Sequence, residues 1–284
     1  MQIPFQFRAL ALKTACLAAY ASFSLFFQTG EVYCDPAASA WPEGFKSSAR
    51  LIAAGGPPDP FYRAGVELRL APGSLTYWRT PGSAGAPPVF SFDASSNIAE
   101  LKVLYPGPSR IEEGDGGEAF GYREGVVFPL HVTPKDAASP VLVDLKLSYA
   151  VCAKICLPQH TEVKLTLDPK AAAGLPEAGE IASAEAAVPA PLPARDAPVT
   201  LTRDASAAVP TWRLSSQKAI EDIFVEGSSG WYFETKKTGP EEFLILAVEH
   251  PETDGKGSIP ATLTLIGAQG NYEFAVDLAD ASAK

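Results

Sequence analysis

The sequence predicts an all-β protein, an antiparallel sandwich followed by a second, smaller β domain. Three observations carry that prediction. Apolar residues recur at every second position in several stretches, which is the period of a strand with one buried face. Pro 26 and Gly 23 among 284 residues suit short strands joined by turns better than long helices. Clusters of Gly, Pro and Asp interrupt the alternating runs at residues 54–60, 81–88 and 112–117.

Taken in order, the chain begins with an export signal. Arg8 and Lys13 precede fourteen uncharged residues, 14–27, a basic region followed by an apolar one. A membrane span needs about 20 such residues, so this segment is expected to be cleaved, somewhere within residues 30–40. Ala38-Ser39-Ala40 offers one small-residue site and Val32-Tyr33-Cys34 a poorer one. Glu31 and Tyr33 argue against a lipid anchor on Cys34. No later stretch is long and apolar enough to cross a bilayer, so the mature chain is expected to be soluble in an oxidising compartment. The formal net charge of -10 comes without a basic cluster, which argues against nucleic-acid binding.

In the first domain, residues 41–168, Val66, Leu68 and Leu70 alternate within 62–70, and residues 126–132 are almost continuously apolar. Val141, Val143, Leu145, Leu147 and Tyr149 alternate with Asp144, Lys146 and Ser148, and the pattern resumes at Val163, Leu165 and Leu167. Residues 169–198 shift to Ala, Pro and Glu and read as a linker: 175–187 is compatible with a short helix, and the proline-rich end reads as extended. The second domain, residues 199–284, carries further strand patterns at 212–214, 220–225, 231–234, 243–248, 261–266 and 272–278. Its Trp212, Trp231 and Tyr232 read as packing residues.

Between the runs ending at Tyr149 and resuming near Val163 lie Cys152 and Cys156, the two thiols left once residues 1–40 are removed. The flanking strands place them at a loop spanning about 151–161. Extrapolated strand phase puts Cys152 on the polar face, within reach of another protein. Three readings of the pair stand at this level. A structural disulfide is one, although closing so short a ring contributes only about 2 kcal/mol by loop entropy. A metal site is the second: Cys152, Cys156 and His160 form a C-x3-C-x3-H pattern with ligands suited to Cu(I) or Zn(II). Redox exchange is the third, with one thiol attacking and the other resolving, and Lys154 between them to favour a thiolate.

The run from Tyr149 to Pro158 does not stand alone. Together with Tyr62-Arg-Ala-Gly-Val-Glu-Leu68, Pro72-Gly-Ser-Leu-Thr-Tyr-Trp-Arg79, the Pro81 to Pro88 turn and Gly121-Tyr122 ahead of Val126-Val-Phe-Pro-Leu130, it resembles the periplasmic N-terminal domain of DsbD-type thiol:disulfide reductases. The ScsB-like branch, associated with suppression of copper sensitivity, is the nearest variant. The resemblance covers about residues 41–168, and a weaker likeness to that branch continues through Asp222-Ile-Phe-Val-Glu226 and Trp231.

The resemblance implies an immunoglobulin-like β-sandwich in the periplasm. In it, Cys152 and Cys156 would be the catalytic redox pair of a disulfide reductase or electron relay with no cofactor. It also implies an aromatic cap shielding the pair, for which Phe120, with Tyr122 as a second candidate, falls at the corresponding place. Such reductases continue into a multi-span membrane domain and a thioredoxin-like domain, and neither appears before Lys284. The expected partners are therefore a separate membrane-embedded or thioredoxin-like disulfide reductase and periplasmic client proteins with disulfides. The alternative reading is a copper-binding or copper-tolerance protein holding Cu(I) through Cys152, Cys156 and His160.

Overall fold

A computed structural model describes residues 37–41, 47–83, 85–113, 117–251 and 257–283. The expected export signal lies outside the described residues except for its last four. Of these, Ala37 and Ser39 make backbone hydrogen bonds to Ala53 and Leu51.

Ten strands build the first sandwich: β1 (Ser47–Ala53), β2 (Tyr62–Leu70), β3 (Leu75–Gly82), β4 (Val89–Ser91), β5 (Ile98–Val103), β6 (Ser109–Glu112), β7 (Glu118–Arg123), β8 (Gly125–Pro134), β9 (Val141–Cys152) and β10 (Cys156–Leu167). One sheet runs β1-β2-β8-β5 and the other β10-β9-β3-β7-β6, with β4 also paired to β9. Every pairing among these strands is antiparallel.

Alternation dictates the register. Val141, Val143, Leu145, Leu147, Tyr149 and Val151 are all at most 5% exposed, and they meet Leu51, Val66, Leu68, Phe128 and Leu130 from the opposite sheet. A one-residue slip would turn all six outward, and a buried Val or Leu contributes about 1.5–3 kcal/mol. The β9–β10 hairpin is therefore firmly registered, from Val141 opposite Leu167 to Cys152 opposite Cys156.

The second sandwich uses β11 (Ala190–Pro191), β12 (Val199–Asp204), β13 (Thr211–Ser216), β14 (Asp222–Gly227), β15 (Tyr232–Gly239), β16 (Glu242–Glu249), β17 (Pro260–Ile266), β18 (Tyr272–Asp277) and β19 (Ser282–Ala283). Its sheets run β11-β18-β17-β14 and β15-β16-β13-β12-β19 around Trp212, Phe233, Phe243, Ile245 and Leu263. Trp212 and Trp231 pack against Phe233, as expected of structural aromatics.

The Ala/Pro-rich connection holds a short helix within 175–187 and is extended at Ala190–Pro191, but both pieces are docked rather than free. Helix α1 (Ala178–Ala187) buries Ile181 against Ile52, Ala54 and Val127. Its Glu185 accepts hydrogen bonds from Arg63 and is paired with His131 Nε2 at 3.1 Å. Beyond it, Ala190 and Pro191 pair in parallel with Tyr272 and Glu273. Ile181, the Glu185 pairs and the two-residue strand together lay the connection onto both sandwiches.

The sandwiches also share side chains. Phe224 of β14 is 1% exposed and belongs to the first core, with its ring centroid 4.8 Å from Phe120 and 5.7 Å from Trp78. Arg79 reaches across to Glu226 and Glu273, and Arg110 to Asp222. Burial works against the charge on Arg79, yet the carboxylates of Glu226 and Glu273 outweigh it and raise its pKa.

Candidate disulfide exchange site

The site is the tip of the β9–β10 hairpin. Only Ala153, Lys154 and Ile155 separate the strands, and Ala153 N–H donates to the Ile155 carbonyl at 3.2 Å. The expected loop over 151–161 is thus mostly strand. Cys152 and Cys156 face one another as the last cross-strand pair, with Cα atoms 4.0 Å apart, and their sulfurs form a disulfide.

The two sulfurs live in different surroundings. Strand phase assigns Cys152 correctly to the face of Asp144, Lys146 and Ser148, but the expectation that this face leaves it reachable is overturned. Cys152 is 2% exposed, because Leu75, Tyr77, Ile111 and Ala119 form a small apolar cluster over it. Leu75 stands directly opposite Cys152 across the β3–β9 pairing. Cys156, on the edge strand, is exposed, as are Lys154 and Ile155 beside it.

Tyr77 dominates the geometry. Its hydroxyl lies 2.9 Å from Cys152 Sγ and 3.6 Å from Cys156 Sγ, and it donates to Glu113 Oε1 at 3.2 Å. Burial, then the charge of Glu113 and the hydrogen bond to it, push the phenol up to about 12. Tyr77 therefore keeps its proton at any physiological pH and remains a donor. A disulfide sulfur accepts hydrogen bonds weakly, so the carboxylate takes the one hydrogen while the pair is oxidised. A thiolate formed at Cys152 would compete for it.

The candidate cap residues lie elsewhere. On β7, Ala119 belongs to the cluster over Cys152, so the two-residue period turns Phe120 and Tyr122 to the opposite face. Phe120 packs on Phe224, and Tyr122 stacks edge-on against Phe128 while its hydroxyl donates to the Pro106 carbonyl at 2.8 Å. Both are sandwich-core residues. Tyr77 occupies the shielding position instead. The signal for it was present as Leu75 and Tyr77 alternating ahead of the 81–88 turn.

His160 is not brought to the thiols. It stands four residues along β10 from Cys156, a separation of about 13 Å at strand rise, and pairs with Ser148 through its Nδ1 at 2.9 Å. Among the described residues, no three His, Cys, Asp or Glu side chains are grouped to hold a metal ion.

Fold and site together define an immunoglobulin-like β-sandwich carrying a disulfide at a hairpin tip, half buried and half exposed. Residues 56–168, most of the first sandwich, match the family described as thiol:disulfide interchange protein DsbD, N-terminal. Among solved structures, the chain is similar to the N-terminal periplasmic domain of ScsB from Proteus mirabilis, with TM-score 0.63 and 18% identity, covering 85% of this chain and 98% of that one. At this identity the likeness is one of fold, and it extends over both sandwiches. A tandem of titin immunoglobulin domains is matched with TM-score 0.16 and 9% identity, over 78% of this chain and 88% of that one, too distant to carry an argument. No curated protein matches the chain.

Proposed function

We propose that the first sandwich is a periplasmic thiol–disulfide exchange module, passing electrons from a separate reductase to client proteins through Cys152 and Cys156. The observation that carries this reading is the asymmetry of the disulfide. One sulfur is open to a partner, and the other is buried with the Tyr77 hydroxyl 2.9 Å from it. A purely structural role gains little from this bond, since its short ring adds only about 2 kcal/mol of stability.

The exposure of Cys156 supports a definite sequence of steps. A partner thiolate attacks Cys156 Sγ, forming an intermolecular disulfide and breaking the Cys152–Cys156 bond. The electron pair leaves on Cys152 Sγ, where the Tyr77 O–H is positioned to donate to it. The partner's second thiolate then attacks its own sulfur in the mixed disulfide and releases Cys156 as a thiolate, so two electrons have entered the pair. Reversal against a client disulfide has Cys156 attack and Cys152 resolve, which restores the bond and leaves the client reduced.

Tyr77 aids the step in which charge appears on a buried sulfur, a position where an unpaired charge is costly. Ile155, 62% exposed beside Cys156, gives a partner an apolar contact at the point of attack. The equilibrium reduction potential tests the reading: exchange requires a value above about -300 mV, and a lower one marks a resistant structural disulfide.

A further inference from the structure

Gly85 packs on the Tyr77 ring beside the disulfide, and the anchorage of nearby Ser83 runs toward the second sandwich. Gly85, at φ +120°, lies so close on the Tyr77 ring that an added Cβ would sit 2.3 Å from Cε1. Just before it, Ser83 is fastened to β7. Its backbone N–H and its hydroxyl both donate to the Glu118 carbonyl at 3.1 Å, and Glu118 N–H donates back to Ser83 Oγ at 3.2 Å.

Glu118 is in turn held by one guanidinium. Arg110 Nη1 donates to Glu118 Oε2 at 2.6 Å. The rest of the fork crosses to the second sandwich: Nε and Nη2 to the two oxygens of Asp222 at 3.0 and 2.9 Å, and Nη2 also to the Ile223 carbonyl at 3.1 Å and Thr235 Oγ1 at 2.7 Å. The group lies over Phe120 and Phe224, 5.0 and 5.4 Å from their centroids, which fixes its plane. The planar, multidentate geometry is one that Arg supplies and Lys does not.

We infer that Arg110 is a positioning residue through which the second sandwich holds Ser83, and with it the contact of Gly85 on the Tyr77 ring that shields Cys152. Asp222, Ile223 and Thr235 orient the guanidinium, which orients Glu118. Glu118 fixes Ser83, two positions before the Gly85 that packs on Tyr77. The second sandwich then controls how well Cys152 is shielded, a role distinct from donating or accepting electrons. Adhesion between the sandwiches does not require this link, since Phe224 and the Arg79 ion pairs already supply it. The inference deepens the exchange reading, but its test does not depend on that reading.

The test is peptide-resolved alkylation of the reduced full-length chain by iodoacetamide, comparing wild type with Asp222→Asn, Thr235→Val and Asp222→Glu. Exposed Cys156 serves as the internal reference. Loss of a charge-assisted hydrogen bond is expected to raise the Cys152:Cys156 labelling ratio about tenfold in Asp222→Asn. A smaller rise is expected in Thr235→Val, and recovery toward wild type in Asp222→Glu, which keeps the carboxylate. Cooperative unfolding must persist, and Thr235→Val supplies the answer should Asp222→Asn fail to fold. An unchanged ratio in a folded variant, even one with a lowered unfolding midpoint, would reduce Arg110 to a tie between sandwiches and overturn the inference. Because no protein partner is used, that failure is distinct from a failure of electron exchange.

Discussion

Replacing Tyr77 with Phe removes one oxygen and leaves the ring that packs against Gly85, so it isolates the hydroxyl from the ring's packing. The hydroxyl lies 2.9 Å from Cys152 Sγ and also serves Glu113. A hydrogen bond to a charged group contributes about 1.5–3 kcal/mol. The lower end applies because Glu113 competes for the same hydrogen in the oxidised state, and only the difference between oxidation states counts. For a two-electron couple, about 1.4 kcal/mol corresponds to about 30 mV. Tyr77→Phe should therefore lower the reduction potential by about 30 mV and slow reduction by dithiothreitol about tenfold. The assays are equilibration against a dithiothreitol redox buffer and stopped reduction followed by alkylation. A folded Tyr77→Phe protein with wild-type potential and wild-type rate would refute the claim that the phenol stabilises the departing sulfur.

Other substitutions probe the Gly85 contact, the histidine and the helix. Gly85→Ala should destabilise the fold by about 1–3 kcal/mol, since the new Cβ collides with Tyr77; urea unfolding measures this, and an unchanged midpoint would contradict the packing. If the reduced thiols take up Cu(I), His160→Ala should leave the affinity unchanged, because His160 stands on a different part of β10; a competition titration that shows weakening would restore His160 to the site. Burial raises the Glu185 carboxyl, but hydrogen bonds from Arg63 and His131 outweigh it and leave the pKa below the ordinary 4.5. A depressed carboxylate gives stability that is present above the unfolded value and lost as pH falls through the folded one. Wild type should therefore lose stability below pH 4.5 more steeply than Glu185→Gln, and parallel acid titrations of the unfolding midpoint check the sign.

Much of the fold was legible because one face of each long strand is buried. The alternation from Val141 to Tyr149 continues to Val151, and the apolar run 126–132 lies within β8. Cys152 shows where such reading stops. Its face followed from phase, but its burial did not, because Leu75 and Tyr77 reach it from a strand some 75 positions earlier. Phe120 and Tyr122 show the converse. Analogy placed them over the thiols, while their parity with Ala119, readable in the sequence, turns them into the core. A short helix within 175–187 is compatible with the sequence, and the structure has one at Ala178–Ala187, but its docking through Ile181 and Glu185 depends on partners far along the chain.

The central claim is that a partner exchanges disulfides with Cys156 while Cys152 resolves. Trapping tests it most directly. Cys152→Ser and Cys156→Ser chains, each expressed in the periplasm and quenched in acid, are compared for mixed disulfides. Cys152→Ser, which keeps the exposed sulfur and lacks the resolving one, is predicted to accumulate adducts with defined proteins, and Cys156→Ser to accumulate few. Adducts confined to Cys156→Ser, or none from either chain, would contradict the account.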